Sequence, residues 1–237
     1  MNRPLDPSTY GLREDLALAL RAAAVHRFSE GVCNHFSVAI DADRFLINPR
    51  GLHWSEVQAD DIVLVDALGQ VLEGKHAVEP SALFIHSAVH RIAQHTVVLH
   101  THMPYASCFT LTEAGAINPL LSQNALRFVD RIAIDRTFHG LALDHAEGER
   151  IAHAMNGKDV AFLANHGVIV AGESLAFAYD DLYFLECAAR QEVLAASSGS
   201  SLRPIVDQNL ARQTAAQIKG EREQSRLFFE ALRRMLS

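Results

Sequence analysis

The chain has 237 residues, of which 49% are apolar and 21% are charged, a balance typical of a folded domain with a sizeable core. Its 21 basic and 28 acidic residues give a formal net charge of −7, so we expect neither nucleic acid nor an anionic membrane as a partner. No run approaches the roughly 18 apolar residues of a membrane span, and the opening MNRPLDPSTYG lacks the pattern of a leader. These features predict a cytoplasmic protein.

The first hundred residues predict alternating helices and strands. Apolar residues at helical spacing indicate an amphipathic helix over residues 12–28. Two hairpins follow, one from FSVAID and RFLINP and one from IVLVD and VLEG. Pro80 suits the first turn of a helix that continues through SALFIHSAVHRIA, and TVVLHTH is typical of a buried strand.

The remainder of the chain begins with short elements joined by loops over residues 103–145. VAFLANHGVIVAG predicts two strands, followed by a helix over about residues 175–196, and SSGSS marks a flexible break. We therefore predict an α/β domain over residues 1–201, with a mixed sheet covered by helices on both faces, and a helical tail over residues 202–237. In the tail, the side chains expected to pack inward are Ile218, Phe228, Leu232 and Leu236.

The strongest chemical signal is the pair His100 and His102 at the end of the TVVLHTH strand. Residues i and i+2 of a strand project from the same face, so both imidazoles can reach one cation. His166, between the two later strands, offers a third imidazole, and Glu79, just before a helix, offers a carboxylate. Such a set suits Zn, Mn, Fe or Co better than Mg or Ca, although each residue alone also fits a structural role.

Two loops flank the first hairpin and have residues suited to binding an anion. The segments 31–37 and 48–51 contain glycine, amide and hydroxyl groups, and Arg50 can bind a carboxylate or phosphate with two hydrogen bonds. Each loop is also compatible with an ordinary turn. No G-x-G-x-x-G, Walker lysine loop or G-x-S-x-G is present, so nucleotide binding and serine hydrolysis have no support.

Taken together, five motifs over about residues 12–196 resemble the class II aldolase/adducin family. They are N-x-x-S at Asn34 and Ser37, INPRGL at 47–52, the glutamate Glu79, HTHMPYAS at 100–107 and NHGVIVAG at 165–172. The segments NHFS, NPRGLHWSEV and FIHSAVHR are closer to the adducin-like bacterial branch than to the sugar-phosphate aldolases. Adducin heads usually lack the metal-binding histidines that are complete here, so the resemblance favours an enzyme.

The resemblance implies an α/β/α sandwich with a mixed, largely antiparallel central sheet, assembled as a homotetramer with sites at subunit interfaces. It assigns one divalent transition metal per subunit, zinc or manganese, to His100, His102 and His166, and the acid/base role to Glu79. In the family, the metal chelates vicinal substrate oxygens and stabilises an enolate or similar carbanion. The positions that the resemblance gives to substrate binding are Asn34, Ser37, Arg50 and Gly51.

Differences from the sugar-phosphate aldolases narrow the range of expected substrates. The residues that bind phosphate in those aldolases correspond here to residues 33–34, 50–51 and 77–78. At these positions this sequence lacks the small hydroxyl side chains of the aldolases and has an arginine, Arg50. Each lost hydroxyl would contribute roughly 1 kcal/mol or more, so an unphosphorylated substrate is favoured, and Arg50 favours a carboxylate. The tyrosine that protonates the leaving group in those aldolases corresponds to a position near Gln123, and glutamine cannot act as an acid.

The sequence therefore predicts a divalent-metal-dependent carbon–carbon lyase for a small, unphosphorylated hydroxy-carboxylate or hydroxy-carbonyl compound. Aldol cleavage and decarboxylation both stay open, with an aromatic hydroxy-acid decarboxylase as a specific form of the latter. A sugar-phosphate epimerase or dehydratase and a non-catalytic adducin-like interaction module are the alternatives. His35 is a further candidate for substrate contact, whereas His86 and His90 favour a packed helix pair over a second metal site.

Overall fold

Strands with alternating apolar residues form one eight-stranded sheet in the computed structural model, which describes residues 5–236. In chain order the strands are β1 (His35–Ala39), β2 (Arg44–Ile47), β3 (Val63–Asp66), β4 (Val71–Glu73), β5 (Val97–Thr101), β6 (Ile132–Asp135), β7 (Val160–Leu163) and β8 (Gly167–Gly172). Their order across the sheet is β4-β3-β2-β1-β5-β8-β7-β6. Neighbours are antiparallel except β6 and β7, which are parallel, so the predicted mixed and largely antiparallel sheet is confirmed.

Helices follow the strands along the chain. The α-helices are α1 (Tyr10–Val25), α2 (Pro80–Ile92), α3 (Ala106–Phe109), α4 (Gln123–Leu126), α5 (His145–Ala154), α6 (Leu175–Ser197), α7 (Gln208–Gly220) and α8 (Arg222–Leu236). Short 3₁₀ helices lie at Pro7–Thr9, Trp54–Glu56 and Ala59–Asp61. Within the described part of the chain, none of the helices combines the length and the apolar character that crossing a membrane requires.

Side chains of the central strand β5 show how the two faces of the sheet are covered. Val97 and Leu99 belong to the large buried cluster that contains residues of α1, α6 and α8. Val98, which points the opposite way, belongs to a second cluster with Ile85 of α2 and Ile151 of α5. Helices therefore pack on both faces, and the predicted α/β/α sandwich is confirmed.

Most predicted elements are present, with differences at their ends. Both hairpins form, and α2 begins at Pro80. Helix α1 stops at Val25, three residues before the predicted end, because Arg27 adopts a left-handed conformation (φ 64°) and the N–H of Phe28 donates to the carbonyl of Ala23 at 2.8 Å. Strand β6 lies within the segment predicted as loops and short elements, where it forms an edge of the sheet.

The carboxyl-terminal tail packs on the core. It consists of α7 and α8, separated at Glu221, rather than one continuous helical stretch. Phe229 and Leu232 are buried in the cluster shared with α1 and α6, and Phe228 and Leu236 pack against that cluster, whereas Ile218 is only half-buried. The predicted division of the chain at residue 201 stays a prediction. The predicted absence of a leader also stays a prediction, because residues 1–4 lie outside the described residues.

Candidate metal centre

Several segments that are distant in the chain meet at one edge of the sheet. Because β1, β5 and β8 are antiparallel neighbours, the start of β1, the end of β5 and the start of β8 lie together. Helix α2 contributes His86 beside His35 and His90 beside Ser37, so it crosses β1 with its amino-terminal end toward the same edge. The predicted metal-binding and acid/base residues therefore all lie at or beyond this edge.

The three predicted metal-binding histidines form a cluster. The rings of His100 and His102 have centroids 5.1 Å apart, and each lies 4.8 to 4.9 Å from the ring of His166. One ligand nitrogen from each of the three lies within 4.8 Å of the other two. His100 is buried, and the other two are half-buried, so the cluster is open on one side. Three nitrogens at this separation can bind a single cation.

Hydrogen bonds fix which nitrogen is free on two of the rings. Nδ1 of His100 lies 3.0 Å from the carbonyl oxygen of Val168, and Nδ1 of His102 lies 2.5 Å from Oε2 of Glu30. Both partners are acceptors, so each Nδ1 donates a proton and Nε2 keeps its lone pair. The Nε2 atom of His102 is buried and has no hydrogen-bond partner among the residues that the structure describes. A divalent cation would satisfy that atom, and orienting partners of this kind are typical of metal-binding histidines.

Burial keeps the rings of His100 and His166 in the form that binds metal. The pKa of His100 is held well below its usual value of 6.5, first by burial and then by the neighbouring histidines. Burial, followed by the proximity of His102, lowers the pKa of His166 to about 4. Metal binding requires the neutral imidazole, so the site is prepared for a cation at neutral pH.

Gly167 allows the strands to come close together behind the cluster. A Cβ atom at this position would lie 2.5 Å from Cδ2 of His102 and 2.6 Å from the carbonyl oxygen of Thr101. No side chain fits in that space without movement of the backbone. The residue after His166 therefore has to be glycine for the start of β8 to reach the end of β5.

Asn34 positions the end of β5 rather than facing solvent. It adopts a left-handed conformation (φ 73°) and is 2% exposed. Its Oδ1 accepts the backbone N–H of His102 at 3.3 Å, and its carbonyl accepts from the side chain of Asn48 at 3.3 Å. Asn34 therefore links β1, β2 and β5 at the edge that carries the histidines.

Ser37, predicted to bind substrate, does not reach an accessible surface. It is 0% exposed on the face covered by α2, and its hydroxyl lies 2.5 Å from Nδ1 of His86 and 2.7 Å from Nε2 of His90. The reason is the alternation of the strand, which places Ser37 two residues further into the sheet than His35.

Arg50 and Glu79 form an ion pair at the same edge. Nε of Arg50 lies 2.8 Å from Oε2 of Glu79, with the two side chains 59% and 35% exposed. The backbone N–H of Arg50 donates to the carbonyl of Ala77 at 2.8 Å, which holds the two segments together, and Gly51 follows with a left-handed φ of 85°. Among the described residues, the compact ligand cluster contains the three histidines and not Glu79.

Comparison with known proteins agrees with this arrangement. Residues 14–193 match the family model described as Class II Aldolase and Adducin N-terminal domain. The chain belongs to the class II aldolase and adducin family. A Pseudomonas aeruginosa protein named as an aldolase class 2 protein is 32% identical over 203 residues, which cover 84% of this chain and 77% of that protein.

Two further relatives of this class II aldolase-family chain are informative. The crystal structure of an aldolase II superfamily protein from Pseudomonas syringae superimposes with a TM-score of 0.88 at 30% identity, covering 98% of this chain and 94% of that chain. The decarboxylase NovR of Streptomyces niveus is 29% identical over 207 residues, covering 85% of this chain and 75% of that protein. The family thus includes relatives with aldolase, adducin and decarboxylase names.

Sequence patterns did not reveal two carboxylates that support the class II aldolase-family site. Glu30 orients His102, as described above. Glu186 of α6 is 6% exposed and accepts the backbone N–H groups of Tyr105 and Ala106, each at 2.8 Å, which anchors the loop after His102. Both contacts join residues more than 70 positions apart, so no local pattern marks them.

Proposed function

We propose that this chain is a divalent-metal-dependent carbon–carbon lyase that acts on a small, unphosphorylated hydroxy-carboxylate or hydroxy-carbonyl compound. The supporting observation is the cluster of His100, His102 and His166, in which Nε2 of His102 is buried with no partner in the described part of the chain. These three residues would hold one zinc or manganese ion per subunit. Such an ion supplies Lewis acidity, which polarises bound oxygens and stabilises negative charge beside them.

The pair of Arg50 and Glu79 provides the remaining groups that the reaction needs. Arg50 is exposed, and a guanidinium binds a carboxylate in a bidentate manner. A substrate carboxylate at Arg50 competes with Glu79, so binding releases the Glu79 carboxylate toward the substrate. Glu79 then acts as the acid/base group, and Gly51 leaves room for the substrate beside Arg50.

Aldol cleavage and decarboxylation use Glu79 differently. In aldol cleavage, the Glu79 carboxylate accepts the proton of the substrate hydroxyl while the adjacent carbon–carbon bond breaks. In decarboxylation, carbon dioxide leaves and the protonated form of Glu79 donates the proton that is added to the carbon that carried it. Arg50 and the position of Gln123 favour decarboxylation, and the relative named decarboxylase NovR supports the same reaction.

The test is product analysis with purified protein loaded with Zn²⁺ or Mn²⁺. Small hydroxy acids, including ortho-hydroxy aromatic acids, are incubated with the enzyme, and carbon dioxide, pyruvate and aldehydes are measured. Carbon dioxide without aldehyde identifies a decarboxylase, and an aldehyde with a second carbonyl product identifies an aldolase. Absence of all these products with each metal would contradict the proposal.

Variants of the two charged residues assign their roles. Glu79→Gln should lower kcat by a factor of about 10² to 10⁴, the usual contribution of a positioned acid/base group. Arg50→Ala should raise KM for a carboxylate substrate and leave cation binding intact. Arg44→Ala is a matched control, because Arg44 is also exposed and paired, with Asp41 in the hairpin turn at the opposite end of β1.

We further propose that the chain assembles as a homotetramer in the cytoplasm, with its sites at subunit interfaces. The segment after β6 starts beside β7, and the turn from β7 to β8 contains His166. This segment exposes several large apolar side chains. These are Phe138 (53%), Leu141 (75%) and Leu143 (59%), together with nearby Leu111 (67%). Exposed apolar side chains of this kind mark interfaces, so Leu141→Asp should lower the mass measured by light scattering.

A further inference from the structure

A row of buried imidazoles leads away from the histidine cluster beneath helix α2. His35, the first residue of β1, pairs with His100 in the sheet, and their rings are stacked with centroids 5.9 Å apart. The ring of His86 meets that of His35 edge-on at 5.7 Å, and His90 follows one turn later on α2. His35 is 8% exposed and His86 is 0% exposed. Neither His35 nor His86 belongs to the ligand cluster.

The hydrogen bonds in this row have a defined direction. Nδ1 of His90 lies 2.7 Å from the backbone carbonyl oxygen of His95, which can only accept, so Nδ1 carries the proton. Burial keeps the ring neutral and lowers the pKa of His90 to about 4, so its Nε2 has a lone pair. The hydroxyl of Ser37 therefore donates to Nε2 of His90 at 2.7 Å. The same hydroxyl oxygen then accepts from Nδ1 of His86 at 2.5 Å.

This direction determines what His86 requires from His35. Because Nδ1 of His86 donates to Ser37, Nε2 of His86 is an acceptor, and it is buried with no partner among the described residues. Nδ1 of His35, on the ring that His86 meets edge-on, is also buried, and residues 5–236 offer neither nitrogen a hydrogen bond, the other nitrogen included. A proton on Nδ1 gives His35 a donor that can satisfy this acceptor once the two adjoining rings approach each other, whereas the other tautomer leaves two buried acceptors on adjoining rings, which is costly. Nε2 of His35 then has the lone pair, and unlike Nδ1 it is not among the buried atoms that lack a partner.

We propose that His35 is a substrate-contacting residue whose Nε2 accepts a hydrogen bond from a hydroxyl group of the compound bound at the histidine cluster. His86, Ser37 and His90 are positioning residues that fix its tautomer. This gives Ser37 a role in the site without contact with the substrate. The substrate class rests on the proposed function, whereas the assignment of the tautomer does not.

The tautomers are measured directly by ¹⁵N NMR of the imidazole nitrogens in the Zn²⁺-loaded protein. We expect protonated Nδ1 and unprotonated Nε2 on His35, His86 and His90. Ser37→Ala removes the acceptor for His86, so His86 should become protonated on Nε2 and His35 should follow. Ser87→Ala is the matched control, since Ser87 is a buried residue of α2 whose hydroxyl donates to Ala67 instead. Protonated Nε2 on His35 in the wild-type protein would overturn the proposal.

The contact with a hydroxyl is tested with two probes, glycolate and acetate, which differ by that group. Calorimetry with the Zn²⁺-loaded protein should show about tenfold weaker glycolate binding in His35→Phe, with acetate binding unchanged. His35→Gln, which offers an amide oxygen, should recover part of the loss. Equal glycolate affinity in wild-type and His35→Phe proteins would overturn the proposal.

Two further readouts separate this inference from the proposed function. Co²⁺-loaded His35→Phe should keep the visible absorption spectrum of the wild-type protein, and loss of that spectrum would make His35 a ligand and overturn the proposal. If the wild-type protein binds neither probe and releases no product, the proposed function fails. In that case the ¹⁵N assignment alone decides the role of the row, with protonated Nδ1 on His35 as the supporting result.

Discussion

The carboxylate of Glu30 accepts a hydrogen bond from Nδ1 of His102 at 2.5 Å and so directs Nε2 of that ring into the histidine cluster. Partners of this kind usually contribute 10- to 100-fold to metal affinity. Because the Glu30 side chain is 62% exposed, we expect Glu30→Ala to weaken Zn²⁺ binding by about tenfold, the lower end of that range. A competition titration with a chromophoric chelator measures this change.

The control for that experiment is Glu223→Gln. Glu223 lies on α8, is 64% exposed and pairs with Arg226, so it matches Glu30 in exposure but has no contact with the cluster. The Zn²⁺ affinity of Glu30→Gln should lie between those of the wild-type protein and Glu30→Ala, since the amide oxygen of glutamine still accepts a hydrogen bond from the ring of His102. Unchanged affinity in Glu30→Ala would show that His102 is oriented by its backbone alone.

Gly167→Ala tests the close approach of β8 to β5. The added methyl group would overlap His102 and the carbonyl of Thr101, so we expect unfolding free energy to fall by about 1 to 3 kcal/mol, together with weaker cation retention. Urea unfolding and elemental analysis measure the two effects. Gly220→Ala, where the described residues leave the added group clear to 4 Å, should be neutral or slightly stabilising.

The buried row beneath α2 predicts a pH dependence for the stability of the metal-free protein. The pKa of His90 falls from 6.5 in the unfolded chain to about 4 in the fold, chiefly because of burial. Between these values the unfolded chain binds the extra proton, so stability decreases as pH falls from about 6.5 toward 4 and is retained above 6.5. His86, whose pKa is also lowered by burial, acts in the same direction.

Urea unfolding in the presence of a chelator, from pH 7 to pH 5, measures this slope. One proton corresponds to about 1.4 kcal/mol per pH unit, and His90→Gln should remove up to that amount from the slope. Identical slopes in the two proteins would mean that folding does not lower the pKa of His90. The ligand histidines are present in both proteins and cancel in the comparison.

A buried ion cluster attaches the tail to the core and predicts a large effect of one substitution. Asp181 of α6 is 2% exposed and lies 2.7 Å from Arg131 and 3.0 Å from Arg222 at the start of α8. Asp181→Asn leaves two guanidinium groups without their buried partner, so we expect a loss of about 3 kcal/mol in unfolding free energy. Asp130→Asn, in an exposed pair with Arg212, should cost less than about 1 kcal/mol.

The parts of the fold and site that the sequence predicted are those determined by neighbours in the chain. The spacing of His100 and His102 and the proline at the start of α2 are local signals, and both correspond to observed features. Gly220 ends α7 just before the break at Glu221, but a single glycine is a weaker signal than the helical pattern on either side, which predicts one stretch.

Long-range contacts account for what could not be predicted. The alternation of β1 shows that His35 and Ser37 share a face, but not that α2 covers that face, so Ser37 was assigned to the substrate. Glu30 contacts His102, a residue that lies 72 positions later in the chain. The sequence around Glu30 does not indicate that it pairs with a histidine. Such contacts depend on strand order, which is set by packing of the whole sheet rather than by residue types nearby.

The pairing of β5 with β8 has a consequence for the order of folding. His100 and His166 are 166 − 100 = 66 positions apart, and they meet only after this central pairing has formed. Closing so long a loop is slow and entropically costly, so the three donors are not assembled in early folding species. Added Zn²⁺ should therefore slow the unfolding of the finished protein while leaving its refolding rate nearly unchanged.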